Sequence, residues 1–211
     1  SNNVAILDFI TSRFVEETCT IPIFPLNAVL FPGGLLPLKL FEQRYMDMAK
    51  ICLSESKPFG VCLIKEGSEV GAPAMPEMIG CLARIIDWDM QQLGLLHLNV
   101  LGGRRFQIAE SSTAMSGLIS AQVTLLPEPR PVPLPPEHLV CARVMRMIMR
   151  KVGEERFNAP FKFEDAEWVG YRLAEALPLK PIMKQKMLEM NDAVMRLEIL
   201  HKFLASQGLA K

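Results

Sequence analysis

Apolar and polar residues change rhythm once along this chain. Residues 59–65, 79–87, 95–101, 105–109 and 118–126 are short apolar runs, several of them alternating, bounded by Gly, Pro, Asp or Ser. A period of two with such borders predicts half-buried strands, and their spacing predicts a rolled sheet or partly open barrel. One helix interrupts the series: residues 42–54 place Tyr45, Met48, Ala49, Cys52 and Leu53 on one face at helical spacing. That face is expected to pack on the sheet.

Beyond residue 136 the period becomes 3.6. Val140, Val144 and Met147 recur on one stripe, Val169, Leu173, Ala176 and Leu177 on another, Val194, Leu197, Leu200 and Leu204 on a third. Pro160 and Pro178 fall between stripes, while Glu164-Asp165 and Asn191-Asp192 suit helix starts. About four helices are predicted from these breaks. The two textures meet at Pro127-Glu-Pro-Arg-Pro-Val-Pro-Leu-Pro-Pro136, where six of ten positions are proline. Alternate prolines fix φ and remove donors, so the segment is expected to be an extended, stiff spacer; a ligand for SH3-type partners is the lesser reading. The expected class is α+β: a β-rich half over residues 1–126, a linker over 127–136 and a helical bundle over 137–211.

Residues 21–45 carry the most specific pattern. Ile21-Pro-Ile-Phe-Pro-Leu-Asn-Ala-Val-Leu-Phe-Pro-Gly-Gly-Leu-Leu-Pro-Leu-Lys-Leu-Phe-Glu-Gln-Arg-Tyr45 spaces four prolines through an apolar run. It predicts strand, turn at Pro32-Gly33, strand, then helix, with each proline at an edge, an end or a bulge.

The same residues resemble the opening of the N-terminal substrate-binding domain of Lon-type ATP-dependent proteases. Pro22-Ile-Phe-Pro-Leu26, Val29-Leu-Phe-Pro-Gly33, Leu36-Pro-Leu38 and Leu40-Phe-Glu-Gln-Arg-Tyr45 fall in the family's order. Gly80-Cys-Leu-Ala-Arg84 and Gly103-Arg-Arg-Phe106 resemble two later segments, and Pro178-Leu and Lys184-Gln185 a helical one. The resemblance implies a PUA-like pseudo-barrel followed by helices, and recognition of unfolded or tagged polypeptides, with a protease or chaperone as companion. The family's ATPase and protease modules need a G-x-x-x-x-G-K-[ST] loop and a Ser–Lys dyad. The sequence contains no such loop, so a stand-alone, non-catalytic adaptor is expected.

Composition narrows the partners. With 50% apolar and 22% charged residues over 211 positions, the chain can bury a sizeable core. Lys+Arg and Asp+Glu both number 23, a net charge of zero, which disfavours nucleic acid and anionic membranes. The halves differ mildly: residues 1–126 carry 9 basic and 12 acidic side chains, residues 127–211 carry 14 and 11. The five cysteines are odd in number and never form C-x-x-C, which argues against a disulfide framework and a zinc knuckle. No run approaches the ~18 apolar residues of a membrane span; a cytoplasmic protein is expected.

Candidate chemistry is sparse. His138 and Cys141 have the spacing of two metal ligands on a helix, but His97 and His201 have no partner evident in the sequence, and neither metal nor cofactor is expected. Gly102-Gly103-Arg104-Arg105 has the composition of a phosphate cradle, although flanking apolar strands favour a turn or bulge. The methionines of the helical half suit an irregular core or a pliant binding face. The candidate polypeptide contacts are Phe31, Phe41, Arg44, Arg104 and Arg105. The alternative is a PUA-like nucleic-acid binder using Arg104, Arg105 and the basic helical half; a small-molecule enzyme is third, with no acid, base or nucleophile to name.

Overall fold

The computed structural model describes residues 17–210; residues 1–16 of the expected first half lie outside the described residues. Seven strands form one sheet: β1 (Thr18–Leu26), β2 (Leu35–Leu40), β3 (Phe59–Glu66), β4 (Met75–Pro76), β5 (Ile79–Gln92), β6 (Leu95–Thr113) and β7 (Ile119–Leu125). The order β1-β7-β6-β5-β3 closes on itself, because β1 also pairs with β3, in parallel. Closure gives each of these five strands a partner on both sides over part of its length. β2 attaches outside the ring to β6, and the two-residue β4 to β3.

The prolines of residues 21–45 sit where a missing donor costs least. Pro22 faces Ser120 of β7 one residue before the β3 pairing begins at Ile23, and Pro25 faces Cys62 of β3 after the β7 pairing has ended. Each therefore stands where β1 has one neighbour. Pro37 lies in β2, whose only strand partner among the described residues is β6. Pro32 precedes Gly33, whose φ of 76° only glycine adopts without strain.

β6 is long because it serves two partners in turn along one edge. Its residues 96–101 pair with β2 and its residues 106–113 with β7, while β5 runs along the other edge. The change of partner falls at Gly102-Gly103, where the register against β5 shifts between Cys81 and Ala83. The Gly-Gly-Arg-Arg segment is thus a bulged strand, which re-aims side chains. Gly33 N–H donates to Gly102 O and Gly102 N–H to Gly34 O, both at 2.8 Å. A Cβ on Gly102 would come within 2.1 Å of the Phe31 carbonyl oxygen, so only glycine lets the turn dock on the strand.

Helix α1 (Gln43–Glu55) buries Arg44, Tyr45, Met46, Met48, Ala49 and Cys52. Leu53, expected on the buried face, is 36% exposed, and Met46 takes that place. Tyr45, Met48, Ala49 and Cys52 are buried as expected, and Met46 widens the face in the apolar cluster of the sheet.

The helices that follow are α2 (Leu139–Val152), α3 (Ala166–Ala176), α4 (Pro181–Glu189) and α5 (Ala193–Ser206). Asp165 and Asp192 cap α3 and α5 through the Glu167 and Met195 amides, and Pro181 opens α4. Val169, Leu173, Leu177, Leu197, Leu200 and Leu204 are buried as their stripes predict, but Ala176 is exposed. On α2 the buried stripe is Cys141, Ala142, Val144, Met145 and Met149, and Met147 is 54% exposed. Methionines at 145, 147 and 149 leave the helical phase open in the sequence; packing against α3 and α5 selects the i, i+4 row from Cys141.

The proline-rich segment is a strap, not a free-standing spacer. Between its prolines Glu128, Arg130, Val132 and Leu134 keep amides, and the last two anchor the segment. Both are used: Val132 N–H donates to Asp165 Oδ1 and Leu134 N–H to Glu164 O, each at 2.9 Å. The two halves also share a buried seam. Phe31 is fully buried among helical residues, with its ring 5.7 Å from that of Tyr171. Arg172 donates to Pro32 O at 2.7 Å and Gln185 to Ile79 O at 2.9 Å.

Candidate functional site

β2 carries a second edge on which no strand lies among the described residues. Beside that edge lies a groove of about 340 Å³ lined by residues 36–42 without a break. A cavity lined by consecutive strand residues is bounded by a strand's edge, because side chains on a face alternate. Its floor is apolar: Phe24, Leu26, Leu38, Leu40 and Tyr45 are all buried. The Phe24 and Tyr45 rings meet at a tilt of 52°, with centroids 4.4 Å apart. Burial pushes the Tyr45 phenol up, an effect that the Arg44 guanidinium partly offsets. On the rim stand Phe41, 57% exposed, and Val70, 53% exposed, with Lys39 and Glu69 adding one charge of each sign.

The walls are held by backbone-directed bonds. Arg44 donates to Gly71 O at 2.7 Å and Gly117 O at 3.1 Å and pairs with Glu42 at 3.0 Å. One guanidinium thereby ties the loop bearing Val70, and the tip joining β6 to β7, to the start of α1. The Asn27 amide donates to Glu69 Oε1 at 2.7 Å, which closes the loop over the end of β1.

The five candidate contact residues are not brought together. Phe41 lies on the groove rim and Arg44 beneath the wall. Phe31 is in the seam. Arg105, buried, donates to the Leu188 carbonyl at 2.9 Å and to Asn191 Oδ1 at 2.8 Å, so it caps the end of α4. Arg104 bonds Leu126 O at 3.0 and 3.1 Å and Glu17 at 2.6 Å. Both arginines that suggested a phosphate ligand thus turn their terminal nitrogens to the protein itself. Reasoning from the sequence missed Val70 and the free edge of β2. Val70 sits in an irregular loop without period, and edge status is a property of the assembled sheet.

The helical half gathers a different group. His138 and Cys141 meet His201 of α5, which the sequence left without a partner. Among the seven methionines considered for a binding face, Met145, Met149 and Met187 are core, while Met147, Met183 and Met195 are exposed.

With this geometry in hand, comparison with known proteins is decisive. The description "ATP-dependent protease La (LON) substrate-binding domain" matches residues 20–206. The chain belongs to this family. Its fold is similar to the crystal structure of a Lon N-terminal domain protein from Xanthomonas campestris, at 34% identity and a TM-score of 0.73, covering 86% of this chain and 96% of that one. The Lon protease of Rhizobium meliloti (strain 1021) is 25% identical over 86% of this chain and 23% of its own length. Cereblon of Gallus gallus is 28% identical over 54% of this chain and 25% of its own length. The chain thus spans about a quarter of each of these two curated relatives. Among the described residues no helix is long and apolar enough to cross a membrane.

Proposed function

We propose that this member of the Lon substrate-binding family is a non-catalytic recognition domain, which takes extended segments of unfolded or tagged polypeptides along the free edge of β2. The observation that carries the reading is the coincidence of an unpaired strand edge, an apolar groove lined by residues 36–42 and an exposed phenylalanine at its rim. Strand addition supplies affinity through main-chain hydrogen bonds that any sequence can make, while a shallow apolar groove selects hydrophobic side chains weakly. That combination suits a domain whose partners share unfoldedness and little else. In this reading residues 1–126 form the PUA-like recognition half, residues 127–136 the strap and residues 137–211 a helical buttress. A separate protease or chaperone is the natural recipient of the bound chain.

The test is fluorescence anisotropy with a labelled, apolar, unstructured peptide. Saturable binding is expected, weakened by Phe41→Ala and by N-methylation of alternate peptide amides, which removes strand hydrogen bonds while keeping side chains. Trp88, 56% exposed on β5 away from the groove, serves as the control. Binding that is lost on Trp88→Ala and indifferent to Phe41→Ala and N-methylation would overturn the assignment, as would no saturable binding.

A further inference from the structure

The helical half brings three metal-ligating side chains into one corner. A short 3-10 turn (Pro136–His138) runs directly into α2, so His138 ends the turn and Cys141 follows in the first turn of the helix. α5 passes alongside and contributes His201. The two imidazoles meet edge to face, with centroids 5.0 Å apart and planes at 78°, and their Nδ1 atoms are 2.8 Å apart. One ring nitrogen of each histidine and the Cys141 Sγ all lie within 4.8 Å of one another.

The protein's own hydrogen bonding does not account for this corner. Two Nδ1 atoms at 2.8 Å require one proton between two lone pairs, so one ring donates and the other accepts. His138 is buried, and its Nε2 finds no hydrogen-bond partner among the described residues. That nitrogen is a bare lone pair if His138 donates and an unaccepted N–H if His201 does. A cation in place of the shared proton accepts both Nδ1 lone pairs at once and leaves each ring its proton on Nε2, which for His138 still has no partner among the described residues, and Cys141 is the third donor.

We propose that His138, Cys141 and His201 bind a single borderline-soft transition-metal ion of the zinc class. Two imidazole nitrogens and one thiolate suit zinc and disfavour calcium and magnesium, which take oxygen ligands. Around a four-coordinate zinc, with bonds of about 2.0–2.1 Å to nitrogen and about 2.3 Å to sulfur, ligand atoms stand roughly 3.3–3.6 Å apart. The nitrogens therefore part by about 0.5 Å and the widest separation closes by about 1.3 Å at most, within the reach of side-chain torsions. His201 is half-buried, so the fourth position faces solvent and takes water or an external donor. The ion clasps the start of α2 to α5, elements far apart in the chain. Burial pushes the Cys141 thiol up to about 11. The ion must displace that proton, which makes the site weaker than an exposed one of the same ligands.

Cobalt(II) titration of the intact chain, under reducing conditions, tests the assignment. One equivalent is expected to give a thiolate-to-cobalt charge-transfer band and the visible d–d spectrum of a four-coordinate ion, with zinc displacing cobalt and raising Tm. Cys141→Ser is expected to abolish the charge-transfer band. His201→Asn, at a half-buried position, is expected to weaken binding by about 100-fold or more, since even the outer partners of metal ligands carry about 10–100-fold. Cys19→Ser, on β1, leaves both spectra unchanged. Absence of the charge-transfer band from the unaltered protein overturns the site without recourse to any variant. So does a band that survives both Cys141→Ser and His201→Asn with circular dichroism unchanged.

Discussion

Phe31 and Phe41 stand ten residues apart in the same motif-rich stretch, and the fold puts them to opposite uses. Phe31 leaves the turn before Pro32 and enters the seam, where its ring is fully buried among residues of the helical half. Phe41 follows the end of β2 and stands on the rim of a groove, more than half exposed. The first holds two halves together; the second is free to meet another chain. An aromatic in a family motif is therefore not evidence of contact by itself. What separates the two is whether a second element of the same chain arrives to cover the ring.

Truncating each ring gives the sharpest contrast. Phe31→Ala is expected to cost about 3–5 kcal/mol, as for other buried phenylalanines, read as a lower urea midpoint, with peptide affinity unchanged in the fraction that folds. Phe41→Ala is expected to leave stability within about 0.5 kcal/mol and to weaken peptide binding by about tenfold. If Phe41→Ala unfolds the protein, or Phe31→Ala leaves its midpoint unmoved, the distinction between seam and groove collapses.

Next in size is Gly102→Ala. The new methyl meets the Phe31 carbonyl, and overpacking of this kind costs about 1–3 kcal/mol. Hydrogen exchange should quicken at the Gly33 and Gly102 amides, whose bonds to Gly102 O and Gly34 O hold the turn on β6. Unaltered exchange at both amides would show that the turn does not depend on that close approach.

Arg44→Met sharpens the groove side. It removes the bonds to Gly71 O and Gly117 O, at roughly 1.5–3 kcal/mol where a charged donor is lost. Exchange is expected to rise in the loop bearing Val70 while the helical half stays protected, and peptide affinity is expected to fall. Uniform loosening of both halves would instead make Arg44 part of the common core.

The smallest effect concerns pH in the helical half. Desolvation raises the Glu167 carboxyl above its ordinary 4.5, outweighing the nearby Arg196 guanidinium that lowers it. A raised folded-state value means that the group's contribution to stability is fully present below the ordinary value and is lost as pH rises through the shifted one. Glu167→Gln is therefore expected to flatten the decline of stability across the mildly acidic range, measured by urea midpoints at successive pH values. A steeper decline in the variant would reverse the balance between burial and ion pairing.

Much of the fold was legible because its determinants are local. Alternation marked the strands, a period of 3.6 marked the helices, Asp165 and Asp192 marked two helix starts, and three prolines marked where pairing had to be one-sided, with the fourth in the turn. The α2 face was misjudged because methionines at alternate positions satisfy more than one phase, and the choice is made by neighbours distant in sequence. The candidate site was legible only at Phe41. Arg105 and Phe31 looked like contacts and turned inward, because the α4 terminus and Tyr171 cover them.

The sequence by itself determined the family, the order of strands and helices, and the conformations that proline, glycine and capping residues impose, since each depends on steric and hydrogen-bonding limits within a few residues. Tertiary structure alone decided that β1 closes the ring, that β2 keeps a free edge beside an apolar groove, and that His201 meets His138 and Cys141. Those facts depend on which segments, remote along the chain, share space, and hydrophobic burial specifies that jointly over the whole core without marking it at any one position.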